Sequence, residues 1–111
     1  MRKLGKTFLW KLAQCGHVNE AYSIIVTGAS GLLGREHIEA IAAFGGTPVL
    51  IDLNQKILDE QVDILNNKYN INSSGFAVDI TNEFEVKKNY EEIIKKYGKI
   101  DGLVNNAANN P

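Results

Sequence analysis

Residues 22–34, YSIIVTGASGLLG, decide the fold. The stretch opens with a β-branched run at 22–27 (YSIIVT), which reads as a short buried strand. It closes on three glycines, Gly28, Gly31 and Gly34, where a helical pattern takes over. A strand that turns through glycines into a helix leaves free N–H groups and the positive end of a helix dipole beside the turn. Such a turn suits a pyrophosphate. Gly28 permits the sharp turn, Gly31 lets backbone approach the phosphates, and Gly34 lets helix and strand pack closely. Ser30, Leu32 and Leu33 complete the loop as candidate contacts.

Outward from the loop, strand-like and helix-like blocks alternate. Leu33, His37, Ala40, Ile41 and Phe44 recur at helical spacing and predict the apolar stripe of a first helix, stopped by Gly45-Gly46. A second strand is predicted at 48–53 (PVLIDL), followed by Asn54 as a helix cap and a stripe of Leu58, Val62 and Leu65. A third strand is predicted at 75–80 (GFAVDI). Asn82 with Glu85 resembles a capping box, opening a helix that carries Val86, Tyr90, Ile93, Ile94 and Tyr97 and ends at Gly98. A fourth strand, 100–104 (IDGLV), runs into Asn105-Asn106-Ala107. Short links between alternating strands and helices predict a parallel sheet with right-handed crossovers. The expected fold is α/β: a partial, doubly wound, Rossmann-like sheet, β-α-β-α-β-α-β in the order 3-2-1-4. Its expected core is Ile24, Val26, Val49, Ile51, Ala77, Val78, Leu103 and Val104, with helices on both faces.

An acid completes the loop. Asp52 ends the second strand, 18 residues past Gly34, with Leu53 beside it. A carboxylate there can accept both hydroxyls of an adenosine ribose and would repel a 2′-phosphate. Arg35 is the one basic residue close to the loop and lies inside the first helical turn, while Asn54 stands where a phosphate reader would want a cation. The pattern therefore favours NAD over NADP.

Composition bounds the rest. Apolar residues make up 44% and charged residues 23% of the 111, an ordinary globular balance for one small domain. A net charge of −1 offers nucleic acid no field. No run of about 18 apolar residues is present, so no membrane span is expected. Cys15 stands alone, which excludes an intrachain disulfide and a cysteine-based metal site and fits a reducing cytoplasm. His37 reads as a packed residue of the first helix, and with His17 it forms no metal-ligand spacing. The glutamates and lysines around 87–99 read as a solvated helix face. Residues 1–20 read as an N-terminal extension before the first strand, although Leu4, Phe8, Leu9 and Leu12 could share one face of a surface or targeting helix.

Four features in order resemble the short-chain dehydrogenases/reductases: the 27–34 glycine loop, Asp52, Asp79-Ile80-Thr81, and the segment from Asp101 through Asn105-Asn106-Ala107 to Ala108. The resemblance implies that Asp79 hydrogen-bonds an adenine ring, that Ile80 lies against it, and that Asn105, Asn106 and Ala107 stabilise the sheet and pass beside NAD. It also implies a small-molecule substrate and a homo-oligomer for a full-length parent. Two details depart from the compact branch of that family. The glycines fall at the second, fifth and eighth motif positions, the spacing of the branch that modifies nucleotide sugars, and Ala108 replaces a usual glycine. The mixture resembles bacterial members associated with surface-glycan or flagellin modification.

The family's proton-transfer tyrosine and lysine, Tyr-x-x-x-Lys, have no match. Tyr22, Tyr69 and Tyr90 are followed four residues later by Val26, Ser73 and Ile94. Residues 21–111 therefore read as an NAD-binding half truncated before the catalytic segment, without catalytic residues of its own. The parent would move hydride between NAD and a carbonyl or alcohol carbon. A stand-alone NAD-binding module, a subunit completed by another chain, and a fragment of a sugar-nucleotide epimerase or dehydratase are the alternatives.

Overall fold

The computed structural model describes residues 21–107. The extension at 1–20, with Cys15 and His17, and Ala108 lie outside the described residues. Seven elements follow in order: β1 (Ser23–Thr27), α1 (Leu32–Ala43), β2 (Thr47–Asp52), α2 (Gln55–Tyr69), β3 (Ser74–Ala77), α3 (Glu83–Tyr97) and β4 (Gly102–Asn105). The four strands form one parallel sheet in the order β3-β2-β1-β4, as expected. Ile25 aligns with Val49 on one side and Leu103 on the other.

Local chemistry sets most of the ends. Asn54 Oδ1 accepts the Ile57 N–H at 3.2 Å and so caps α2. At the end of α1, Gly46 N–H reaches the Ile41 carbonyl at 2.9 Å and Gly45 N–H the Ala42 carbonyl at 3.1 Å, which satisfies orphan carbonyls. Asn82 caps α3 through the Glu85 N–H at 3.2 Å. The return half of the expected capping box is not made. Glu85 Oε1 accepts instead from the Asp79 N–H at 3.3 Å, tying α3 to the loop that leads into it. The third strand is shorter than the predicted 75–80: the ladder ends as Val78 N–H donates to the Asp52 carbonyl, and the chain then turns at Asp79.

Two cores flank the sheet. On one face Val26 and Leu50 meet Ile38 and Ala42 of α1 and Leu58 and Leu65 of α2. On the other, Val49, Ile51 and Val78 meet Ile93 of α3. Each fully buried Leu or Ile contributes about 1.5–3 kcal/mol of hydrophobic stabilisation.

Three expectations about burial are corrected. The stripe of α1 is rotated by one residue from Leu33, His37 and Ile41: Gly34, Ile38 and Ala42 are buried and Ile41 is partly buried against the core, whereas Leu33 and His37 are exposed. One residue is a rotation of about 100°. The close packing of Gly34 against the loop chooses which side of α1 faces the sheet. On α3, Val86 and Tyr90 are exposed, and Asn89 is buried with Ile93. Ala77 and Leu103 are not core residues. Leu103 is 62% exposed on β4, which is an edge strand of the sheet among the described residues.

Candidate functional site

The carboxyl ends of the strands open into one cleft of about 480 Å³, lined by the 28–31 turn, residues 51–53 after β2, residues 78–81 after β3, and Asn106 and Ala107 after β4. Ligands of open α/β sheets bind at this end, where the strand order reverses. Here the reversal lies between β1, which is followed in the sheet by β2 on one side, and β4 on the other.

Each glycine of the loop answers to a different constraint. Gly28 has φ +66°, and a Cβ there would lie 2.9 Å from the Ala107 backbone. At Gly34 a Cβ would lie 2.1 Å from the Gly28 carbonyl oxygen and 2.8 Å from Ala29 Cα, so the helix can approach the strand only without one. Gly31 differs. Its φ is −76°, and a Cβ would meet only the Gly28 oxygen at 3.4 Å. Nothing in the fold demands glycine at 31, and the residue borders the open cleft. α1 starts there, and no side chain among the described residues caps it, in contrast to α2 and α3. Its first-turn N–H groups are left for an outside acceptor.

Asp52 lies in the same cleft, partly buried. Its Oδ2 accepts the Ser30 N–H at 2.9 Å and the Ser30 hydroxyl, and its Oδ1 accepts the Leu53 N–H at 2.8 Å. Burial pushes the carboxyl pKa up, but these three donors outweigh it and hold the group below the ordinary aspartate value. Asp79 is likewise lowered, by the Thr81 hydroxyl and N–H, which donate to its Oδ1 at 2.6 and 2.9 Å. No lysine or arginine lines the cleft among the described residues. Arg35 turns its Nε to the Ser30 carbonyl at 3.3 Å and borders the grooves along α1 instead.

Of the residues expected from the sequence, the cleft gathers Gly28, Ser30, Gly31, Asp52, Leu53, Asp79, Ile80, Asn106 and Ala107. Leu32 and Leu33 point to solvent and do not line it, and Gly34 acts in packing. Asn105 also faces away: its Oδ1 accepts the Thr27 hydroxyl at 3.0 Å. Thr27 was not singled out by the sequence reading, yet its Oγ1 also accepts the Ala107 N–H at 3.1 Å, so it fixes the strand-four loop against β1. Gln61 was missed as well. It is buried on α2, and its Nε2 donates to the Ala29 carbonyl at 3.1 Å. Its place between Leu58 and Leu65 in the apolar stripe was the available signal. Among the described residues no cluster of His, Cys, Asp and Glu could hold a metal, and no helix is long and apolar enough to cross a membrane.

A family model described as short chain dehydrogenase matches residues 22–111. The chain belongs to the short-chain dehydrogenase family. Dehydrogenase/reductase SDR family member 4 of Caenorhabditis elegans is 36% identical over 87 residues, which is 78% of this chain and 34% of that protein. Among solved structures, NAD+-bound xylitol dehydrogenase superposes with a TM-score of 0.74 at 29% identity, covering 78% of this chain and 33% of that one. L-sorbose reductase from Gluconobacter frateurii, complexed with NADPH and L-sorbose, gives 0.78 at 27% identity, covering 83% and 35%. The chain thus spans about a third of the length of these relatives.

Proposed function

We propose that this chain is the cofactor-recognition part of a short-chain dehydrogenase and that it selects NAD over NADP. The observation that carries the proposal is the Asp52 carboxylate, held below the ordinary aspartate value and set in the same cleft as Gly28 and Gly31, which no lysine or arginine among the described residues lines. The site fits a dinucleotide on its own geometry. The uncapped start of α1 and the cleft wall at Gly31 accept a pyrophosphate, and Asp52 accepts ribose hydroxyls. A 2′-phosphate would meet a negative charge with no arginine or lysine lining the cleft among the described residues to offset it. Asp79 and Ile80 lie on the far wall, where an adenine edge and face would rest.

Bound there, a nicotinamide dinucleotide supplies or takes up a hydride. This chain's residues bind and orient it. The proton that accompanies hydride transfer to a carbonyl needs a separate acid, and no tyrosine in the 111 residues has a lysine four positions on. The parent activity we assign is hydride exchange between NAD and a carbonyl or alcohol carbon.

Titration of NAD and NADP against the wild type and Asp52→Ala tests the preference. One hydrogen bond to a charged group is worth about 1.5–3 kcal/mol, so NAD should weaken roughly ten- to hundredfold and the gap to NADP should narrow. An unchanged ratio would take Asp52 away from the ribose.

A further inference from the structure

An ionised carboxylate offers about four lone-pair positions. On Asp52 three are taken: two on Oδ2, by the Ser30 N–H and the Ser30 hydroxyl, and one on Oδ1, by the Leu53 N–H. One remains, whereas a ribose held through both hydroxyls needs two. The two N–H donors belong to the backbone of the glycine loop and of the residue after β2, and moving either would shift the cleft wall. The Ser30 hydroxyl alone can leave by rotating about a single bond. Ser30 and Asp52 both line the cleft and are only partly buried, so a ligand reaches them.

We infer that the Ser30 hydroxyl is an internal stand-in for a sugar hydroxyl. It holds Asp52 in the free protein and must leave Oδ2 when an adenosine ribose binds through both of its hydroxyls. This rests on the ribose role of Asp52 proposed above. Ser30 is then a specificity-determining residue of an unusual sign. It weakens ligands that need two acceptor positions and leaves alone those that need one. It also holds the Asp52 carboxylate in place against the loop in the free protein.

The test is calorimetric titration of the full chain, as wild type, Ser30→Ala, Ser30→Thr and Asp52→Ala, with NAD and with its 2′-deoxyadenosine analogue. Ser30→Ala should bind NAD about three- to tenfold tighter, the net worth of one intramolecular hydrogen bond. Its affinity for the deoxy analogue should change less than about twofold, because a single hydroxyl uses the free Oδ1 position. Ser30→Thr keeps the hydroxyl and should keep the wild-type ratio of affinities for NAD and the deoxy analogue. Ser30→Ala binding NAD equally or more weakly, or tightening both ligands alike, would overturn the inference while an Asp52→Ala loss leaves the ribose role standing. NAD binding that is indifferent to Asp52→Ala, or absent from the wild type, overturns the ribose role and this inference with it.

Discussion

Gln61, midway along α2, donates from Nε2 to the Ala29 carbonyl at 3.1 Å, so the helix that follows the second strand holds the loop that follows the first. The contact is buried, and Gln61 Oε1 finds no protein partner among the described residues. Gln61→Met preserves volume and removes the donor. The Ala29 carbonyl then loses its side-chain partner, and the expected loss of stability is about 1–3 kcal/mol, read as a lower midpoint in urea. A variant as stable as the wild type would mean that water replaces the amide without cost.

Gly31 and Gly34 should separate binding from folding. The backbone clashes at Gly34 cannot be relieved by a side-chain rotation. Gly34→Ala should therefore cost about 3 kcal/mol or more, a large fraction of the stability of so small a domain, read as a lower urea midpoint. Gly31→Ala has room and an ordinary φ, so its melting temperature should stay close to wild type while NAD affinity falls at least tenfold, about 1.4 kcal/mol. Retained NAD binding in Gly31→Ala would place the phosphates elsewhere.

Acid should destabilise the fold through Asp52 and Asp79. Both are depressed in the folded chain, Asp52 by donors that outweigh its burial and Asp79 by Thr81. The unfolded chain therefore takes up protons first as pH falls. Their contribution is fully present above the ordinary aspartate pKa of about 3.9 and is lost as pH drops through the lower folded values. Urea midpoints should hold steady from neutral pH to about pH 5 and then fall, with a shallower fall in Asp52→Asn. An acid limb unchanged in that variant would exclude Asp52 as a contributor.

Leu103 and the outer edge of β4 should make the 111-residue chain associate. Leu103 is 62% exposed, and among the described residues β4 has a neighbour on one side only. A lysine on an edge strand deters further pairing. Leu103→Lys should shift the sizing profile toward monomer while changing stability by no more than about 0.5 kcal/mol, as an exposed substitution does. Identical profiles for wild type and variant would show that this edge takes no part in association.

The alternation of strands and helices was legible because each strand is a compact apolar run bounded by turn residues, and parallel neighbours require crossovers. The sheet order followed from that wrapping. The cleft was legible for a similar reason: a glycine loop, an acid after β2 and Asp79 after β3 all lie at strand ends, so a parallel sheet brings them together. By itself the sequence determined the topology, the loop and the position of Asp52. Only the tertiary structure decided which way α1 and α3 turn. Leu33 and Ile38, or Tyr90 and Ile93, are all apolar, and hydrophobicity does not say which has a partner. For α1 the answer came from Gly34 seated on the Gly28 carbonyl, a contact between backbones that no side-chain pattern records. The roles of Thr27 and Gln61 were likewise decided in three dimensions. Their partners, Asn105 and Ala107 for one and Ala29 for the other, are 78, 80 and 32 residues away, and a polar side chain's role is set by the partner that folding brings to it.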